Sequence, residues 1–162
     1  MACALEALGG RTVHATPHQF RFATDPAPAT VRARTDDVAR HLRAAGCAVD
    51  VRPGAEYLVS ERLLDALDAG EELLTWSHLT AGGAATCVLV ELPLRAPVVN
   101  VDRVAALFLR RGLQPVMAHP ERVAALATDP GRARAWRGAG WRFQLDLLSL
   151  AGTYGRTADE GE

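Results

Sequence analysis

The sequence predicts an α/β fold of parallel strands with helices packed outside them. Three observations carry that expectation. Apolar strand-like runs alternate with helix-like stretches about five times along the chain. The connections between them are short, as parallel βα units require. Three of the strands stop at a proline signal beside a histidine or a carboxylate: Pro17-His18, Pro53-Gly54 just before Glu56, and His119-Pro120. In parallel α/β proteins the carboxyl ends of the strands are where ligands and catalysis gather.

Residues 5–8, Leu-Glu-Ala-Leu, read as the last turns of a helix closed by Gly9 and Gly10. Thr12, Val13 and Ala15 suit a strand that Pro17 ends; His14 on it is expected to be buried and hydrogen-bonded. Asp25-Pro26-Ala27-Pro28 is a loop, after which Val31, Val38, Leu42 and Ala45 recur at helical spacing up to Gly46. Residues 47–51 form the next strand, broken by Pro53-Gly54, and a glycine so near Glu56 would let the backbone approach a bound group. Ser60 caps a helix carrying Leu63, Leu64 and Leu67, stopped near Gly70. Residues 71–85 show no clear period; Gly82-Gly83 marks a turn, and His78 is read as a surface residue of a linker.

Residues 87–92, CVLVEL, make the most apolar strand, ended by Pro93. Asn100 caps a helix with Val104, Leu107 and Phe108 inward and Gly112 as its stop. The run Val116, Met117, Ala118 is a buried strand that turns at His119-Pro120, because proline cannot donate to a sheet ladder. Asp129-Pro130 opens a short helix through Trp136. Residues 141–147 are a last strand and 148–156 a small-residue segment; the acidic residues 158–162 are a frayed tail. The whole of 1–162 is read as one domain, with 157–162 as a disordered end.

With 162 residues, 49% hydrophobic and 23% charged, the chain has the composition of an ordinary soluble globular domain. A net charge of -1 gives no basic face for nucleic acid or an anionic membrane. Cys3, Cys47 and Cys87 are odd in number and make no C-x-x-C, which argues against a disulfide framework or a zinc ribbon. The sequence has no apolar run long enough to span a membrane and no signal pattern, so it is read as cytoplasmic. There is no G-x-G-x-x-G, Walker A or G-x-S-x-G, so the common nucleotide and serine-hydrolase readings lack support.

His18, Glu56 and His119, from three separate strands, propose a metal site, since imidazole and carboxylate together suit divalent transition ions. Arg122 lies three residues beyond His119, and its guanidinium is suited to gripping phosphate in a fork. A metal beside an arginine suggests phosphoester hydrolysis.

ATPH at 15–18, PGAE at 53–56, LVELP at 89–93, AHPER at 118–122 and SLAGTYG at 149–155 occur in this order. Together they resemble the PHP-superfamily (polymerase and histidinol phosphatase) protein-tyrosine phosphatases of the CpsB/CapC, capsular polysaccharide type. The resemblance runs from about residue 5 to 156, nearly the whole chain. It implies a distorted (β/α)7 barrel with a site of two or three metal ions, often manganese, with zinc or iron also compatible. It implies that His18, Glu56 and His119 are metal ligands, with Glu56 bridging two ions, and that Arg122 serves catalysis by contacting the substrate phosphate. The implied partner is a phosphotyrosine protein, a capsule- or exopolysaccharide-regulating tyrosine kinase.

The family's opening H-x-H and its late D-x-H have no counterpart in this sequence, so the barrel is expected to be partial, incomplete at both ends. Its unpaired edge strands would favour a homo-oligomer. Two functions are therefore expected to compete: a metal-dependent tyrosine phosphatase, and a catalytically impaired relative that acts as a binding or interaction domain.

Overall fold

The computed structural model of the chain describes residues 2–80, 83–93 and 101–153. The expected cap at Asn100, the first glycine of the Gly82-Gly83 turn and all that was expected of 154–162 lie outside these residues.

Helix α1 (Ala2–Ala7) is followed by β1 (Thr12–Ala15), β2 (His18–Gln19), helix α2 (Pro28–Ala44), β3 (Asp50–Pro53) and β4 (Glu56–Leu58). Next come helix α3 (Glu61–Asp68), β5 (Trp76–Thr80), β6 (Gly83–Glu91), helix α4 (Val101–Arg110) and β7 (Leu113–Ala118). A 3-10 turn, Pro120–Arg122, leads into α5 (Ala124–Ala127) and α6 (Pro130–Gly138), then β8 (Arg142–Gln144) and α7 (Leu147–Leu150). Side chains cap three of the helices as their residue types dictate: the Ser60 hydroxyl accepts from Leu63 N–H on α3, the Asp129 carboxylate from Gly131 N–H on α6, and Asp146 from Leu148 N–H on α7.

Five parallel strands stand in sequence order, β2-β4-β6-β7-β8, each reached from the last by a helical crossover. Among the described residues the sheet is open, with β2 and β8 at its edges. β1 and β3 prolong the β2–β4 pair at its other end, and the interruption between them is slight. Gly54 N–H donates to the Ala15 carbonyl at 2.9 Å and Glu56 N–H to the Pro17 carbonyl at 3.0 Å, so one ladder runs through both segments. β1 stops just before Pro17 and β3 at Pro53, as expected from the sequence, but the pairing resumes at His18 and Glu56 in the same register. A proline lacks the N–H but keeps its carbonyl, and the Pro17 carbonyl is what the Glu56 N–H needs.

Pairing register sorts the side chains into two faces, because successive residues of a strand point to opposite sides. Tyr57, Val90, Met117 and Phe143 form one row across β4, β6, β7 and β8. They face the core, with Leu63 and Leu67 of α3, Phe108 of α4 and the fully buried Trp141. Tyr57 is buried with its hydroxyl accepting from Leu74 N–H at 2.7 Å, which removes the cost of an unpaired polar group there. The neighbouring row, His18, Glu56, Leu89, Val116 and Arg142, points the other way, off the helix-covered side.

Three local expectations are corrected. Helix α2 buries Val31, Thr35 and Ala39, while Val38 is 49% exposed. The inward stripe follows i, i+4, i+8, and Thr35 is tolerated in it because its hydroxyl donates to the Val31 carbonyl at 2.8 Å. Residues 71–85 are not a linker: Trp76–Thr80 forms an antiparallel arm on the first half of β6. His78 is exposed as expected, but it sits on that arm. The last strand is only three residues long, because Asp146 caps α7 and commits the next residues to helix.

Candidate metal centre

Register brings His18 and Glu56 together without any long loop. They are paired neighbours on β2 and β4, and their Nε2 and Oε1 atoms lie 3.7 Å apart. Glu91 joins them from β6: it lies two residues beyond Leu89, the partner of Glu56, and so projects from the same face. His119 follows the end of β7. A strand continued past Met117 would send residue 119 toward the core, but His119 adopts a left-handed backbone, φ 32° and ψ 57°, before Pro120. A non-glycine residue in that region is strained, of the kind that collects at functional sites. The turn brings its Nε2 to 3.4 Å from Glu56 Oε1 and 3.7 Å from Glu91 Oε1.

The three ligand candidates expected from the sequence thus converge at one edge of the sheet, and Glu91 is the member that sequence reasoning missed. Its signal was available. A carboxylate set inside the apolar run CVLVEL is expected to be buried, and in the fold its side chain is only 6% exposed, so it needs a cationic or metal partner. Arg21 supplies one, donating from its NH1 to Glu91 Oε2 at 2.9 Å. His18 is the most open of the set, with its side chain 51% exposed.

Burial alone would push the Glu56 carboxyl up, but the His119 hydrogen bond and the charges of His119, His18 and Arg21 outweigh it and hold its pKa below the ordinary value. The same hydrogen bond to Glu56 raises the His119 pKa against the opposing effects of burial and of nearby Arg122. The stability consequences have opposite signs. His119 contributes stability that is complete below its unfolded pKa of about 6.5 and is lost as pH rises through the raised folded value. Glu56 contributes stability that is present above about 4.5 and is lost as pH falls through its depressed folded value. Urea unfolding of the metal-free protein should therefore separate wild type from His119→Asn most between about pH 4.5 and 6.5, and less at pH 8. A difference that does not change with pH would mean that the pair is not ionised as described.

Arg122 ends the 3-10 turn that His119 begins, its N–H donating to the His119 carbonyl at 2.9 Å. Its guanidinium is engaged by the carboxylate of Asp146, ahead of α7. Asp146 is tied in turn through its own N–H to Glu121 Oε1 at 3.2 Å. Asp146 had no signal in the sequence, where it falls inside the run 141–147 read as a strand. Gly54 does not open space for a bound group: a Cβ there would lie 3.0 Å from the Thr16 methyl, so its lack of a side chain lets β1 and β3 approach. His14 packs half-buried against the Trp76 ring, centroids 5.4 Å apart, and stands outside the cluster.

The residues present fit a divalent ion. One ligand atom each of His18, Glu56 and Glu91 lies within 4.8 Å of the other two, and His119 adds a second imidazole. The separations of 3.4–3.7 Å around Glu56 and His119 are close to the roughly 3.4 Å between ligands that each stand about 2.1 Å from a tetrahedral ion. His119 Nδ1 is buried and takes no hydrogen bond among the described residues, while Nε2 faces the carboxylates of the cluster.

A parallel βα sheet carrying two imidazoles and two carboxylates at one rim defines an α/β protein with a candidate transition-metal centre. The family model for capsular polysaccharide synthesis, CpsB/CapC, matches residues 4–161, and the chain belongs to that family. It is similar to the tyrosine-protein phosphatase YwqE of Bacillus subtilis (strain 168), with 27% identity over 156 residues. The match covers 96% of this chain and 59% of that protein. A crystallographic chain described with YwqE from Bacillus subtilis and CpsB from Streptococcus pneumoniae as unique metal-dependent tyrosine phosphatases superposes with a TM-score of 0.77 at 28% identity. There too 96% of this chain is covered and 60% of the other, so the chain spans about three-fifths of the length of each. No helix among the described residues is long and apolar enough to cross a membrane.

Proposed function

We propose that this chain is a metal-dependent phosphoester hydrolase that removes phosphate from tyrosine on a protein, a capsule- or exopolysaccharide-regulating kinase being the expected substrate. The observation that carries the reading is the convergence of His18, Glu56, Glu91 and His119 on the face of the sheet that the core leaves free. The similarity to metal-dependent tyrosine phosphatases supports the same reading.

His18, Glu56, Glu91 and His119 would hold the ion, with manganese the first expectation. When bound, such an ion lowers the pKa of water to near neutrality and neutralises charge on phosphate oxygens. Arg122, three residues from His119, grips the phosphate group in the fork that its guanidinium provides. Its tie to Asp146 fixes the orientation of that fork before substrate arrives, so little ordering remains to be done on binding.

The test is turnover of p-nitrophenyl phosphate and of a phosphotyrosine peptide by the purified chain, with manganese added and with chelator. Manganese-dependent release of phosphate from both supports the proposal. Manganese binding without turnover of either would point instead to a binding or interaction role.

A further inference from the structure

Arg21 meets Glu91 from a built position. Its backbone N–H and that of Phe22 both donate to the Asp25 carboxylate, at 2.8 and 2.9 Å, and Asp25 N–H donates back to the Phe22 carbonyl at 3.2 Å. The turn that follows β2 is therefore closed on itself, and the base of the arginine side chain is fixed. The Arg21 side chain is 36% exposed, while the Glu91 side chain that it reaches is 6% exposed.

A carboxylate so buried needs a positive partner. Arg21 provides one, and His119 provides another when protonated. A divalent ion held by Glu91 would compete for the same oxygens. The guanidinium would be the one to yield, since it is monovalent, partly hydrated and carried on a flexible stem that can swing into water. We propose that Arg21 is a stand-in counter-ion: it neutralises Glu91 until a divalent cation takes that carboxylate, and is then left at the mouth of the site to hold a phosphate oxygen. This rests on the reading of the cluster as a metal centre.

The experiment measures manganese binding to wild type, Arg21→Gln and Arg21→Lys by electron paramagnetic resonance of the free ion. It then measures inorganic phosphate binding to the manganese-loaded forms by calorimetry. Arg21→Gln should bind manganese roughly two- to tenfold more tightly than wild type, because the competing cation is gone, and Arg21→Lys should stay near wild type. Loaded Arg21→Gln should bind phosphate several-fold more weakly. If Arg21 served only to hold Glu91 in place, the sign would reverse, so manganese binding that is equal or weaker in Arg21→Gln overturns the proposal. Phosphate affinity unchanged in the loaded variant overturns the anion-binding half. His119→Ala is measured alongside: if it loses manganese while Arg21→Gln matches wild type, the counter-ion role falls and the metal centre stands. If neither wild type nor Arg21→Gln binds manganese, both fall, whereas binding by Arg21→Gln alone supports the role.

Discussion

His119→Ala is expected to lose metal binding and aryl-phosphate turnover together. Replacing a partner that only supports a ligand typically costs 10- to 100-fold in metal affinity, so removing a ligand should cost at least about 100-fold. The side chain is also the charge partner of both carboxylates, at 3.4 Å from Glu56 and 3.7 Å from Glu91. Its loss would leave the buried Glu91 and the partly buried Glu56 with less to oppose their repulsion. Glu56→Ala should behave the same way, because Glu56 lies within 3.7 Å of both histidines. Manganese titration and p-nitrophenyl phosphate turnover on the two variants check this. Turnover that survives His119→Ala would place the chemistry away from this rim.

Much of the fold was legible because its strongest elements are locally consistent. The run CVLVEL became the central strand β6, the Ser60 and Asp129 caps formed, and the stripe Val104, Leu107, Phe108 is buried on α4. What failed did so where a local sign was outvoted by pairing. Pro17 looks like a strand end, yet its carbonyl accepts from Glu56 N–H and the pairing resumes beyond it in the same register. The arm Trp76–Thr80 mixes apolar and polar residues without a clean period, and it is a strand only because β6 extends far enough to pair with it.

For the site, His18, Glu56 and His119 could be named because each stands beside a proline signal. Glu91 was hidden inside a run judged only by its apolar character. That it belongs with Glu56 depends on the register of β4 against β6, a relation between distant segments that no local pattern encodes. Asp146 and Arg21 were invisible for the same reason, since their partners Arg122 and Glu91 lie 24 and 70 residues away.

Arg122→Ala should separate substrate binding from metal binding. On the proposed role the guanidinium would contact an anion and not a cation, so manganese affinity should stay near wild type while turnover of aryl phosphate falls roughly 10²- to 10³-fold, as when one fixed donor to a developing negative charge is removed. Arg122→Lys should recover only part of this, because an ammonium has the charge without the planar fork. Asp146→Asn isolates the orientation of that fork. Asparagine can still cap α7 through its side-chain oxygen, so the helix should be retained, but the carboxylate that engages Arg122 is gone. Its effect should lie in the same direction as Arg122→Ala and be smaller, and it should vanish in the Arg122→Ala background, since two residues acting through one guanidinium are not additive. Kinetics on the single and double variants, with manganese affinity measured on each, provide the check. Equal losses from Asp146→Asn in both backgrounds would mean that Asp146 acts on something other than Arg122.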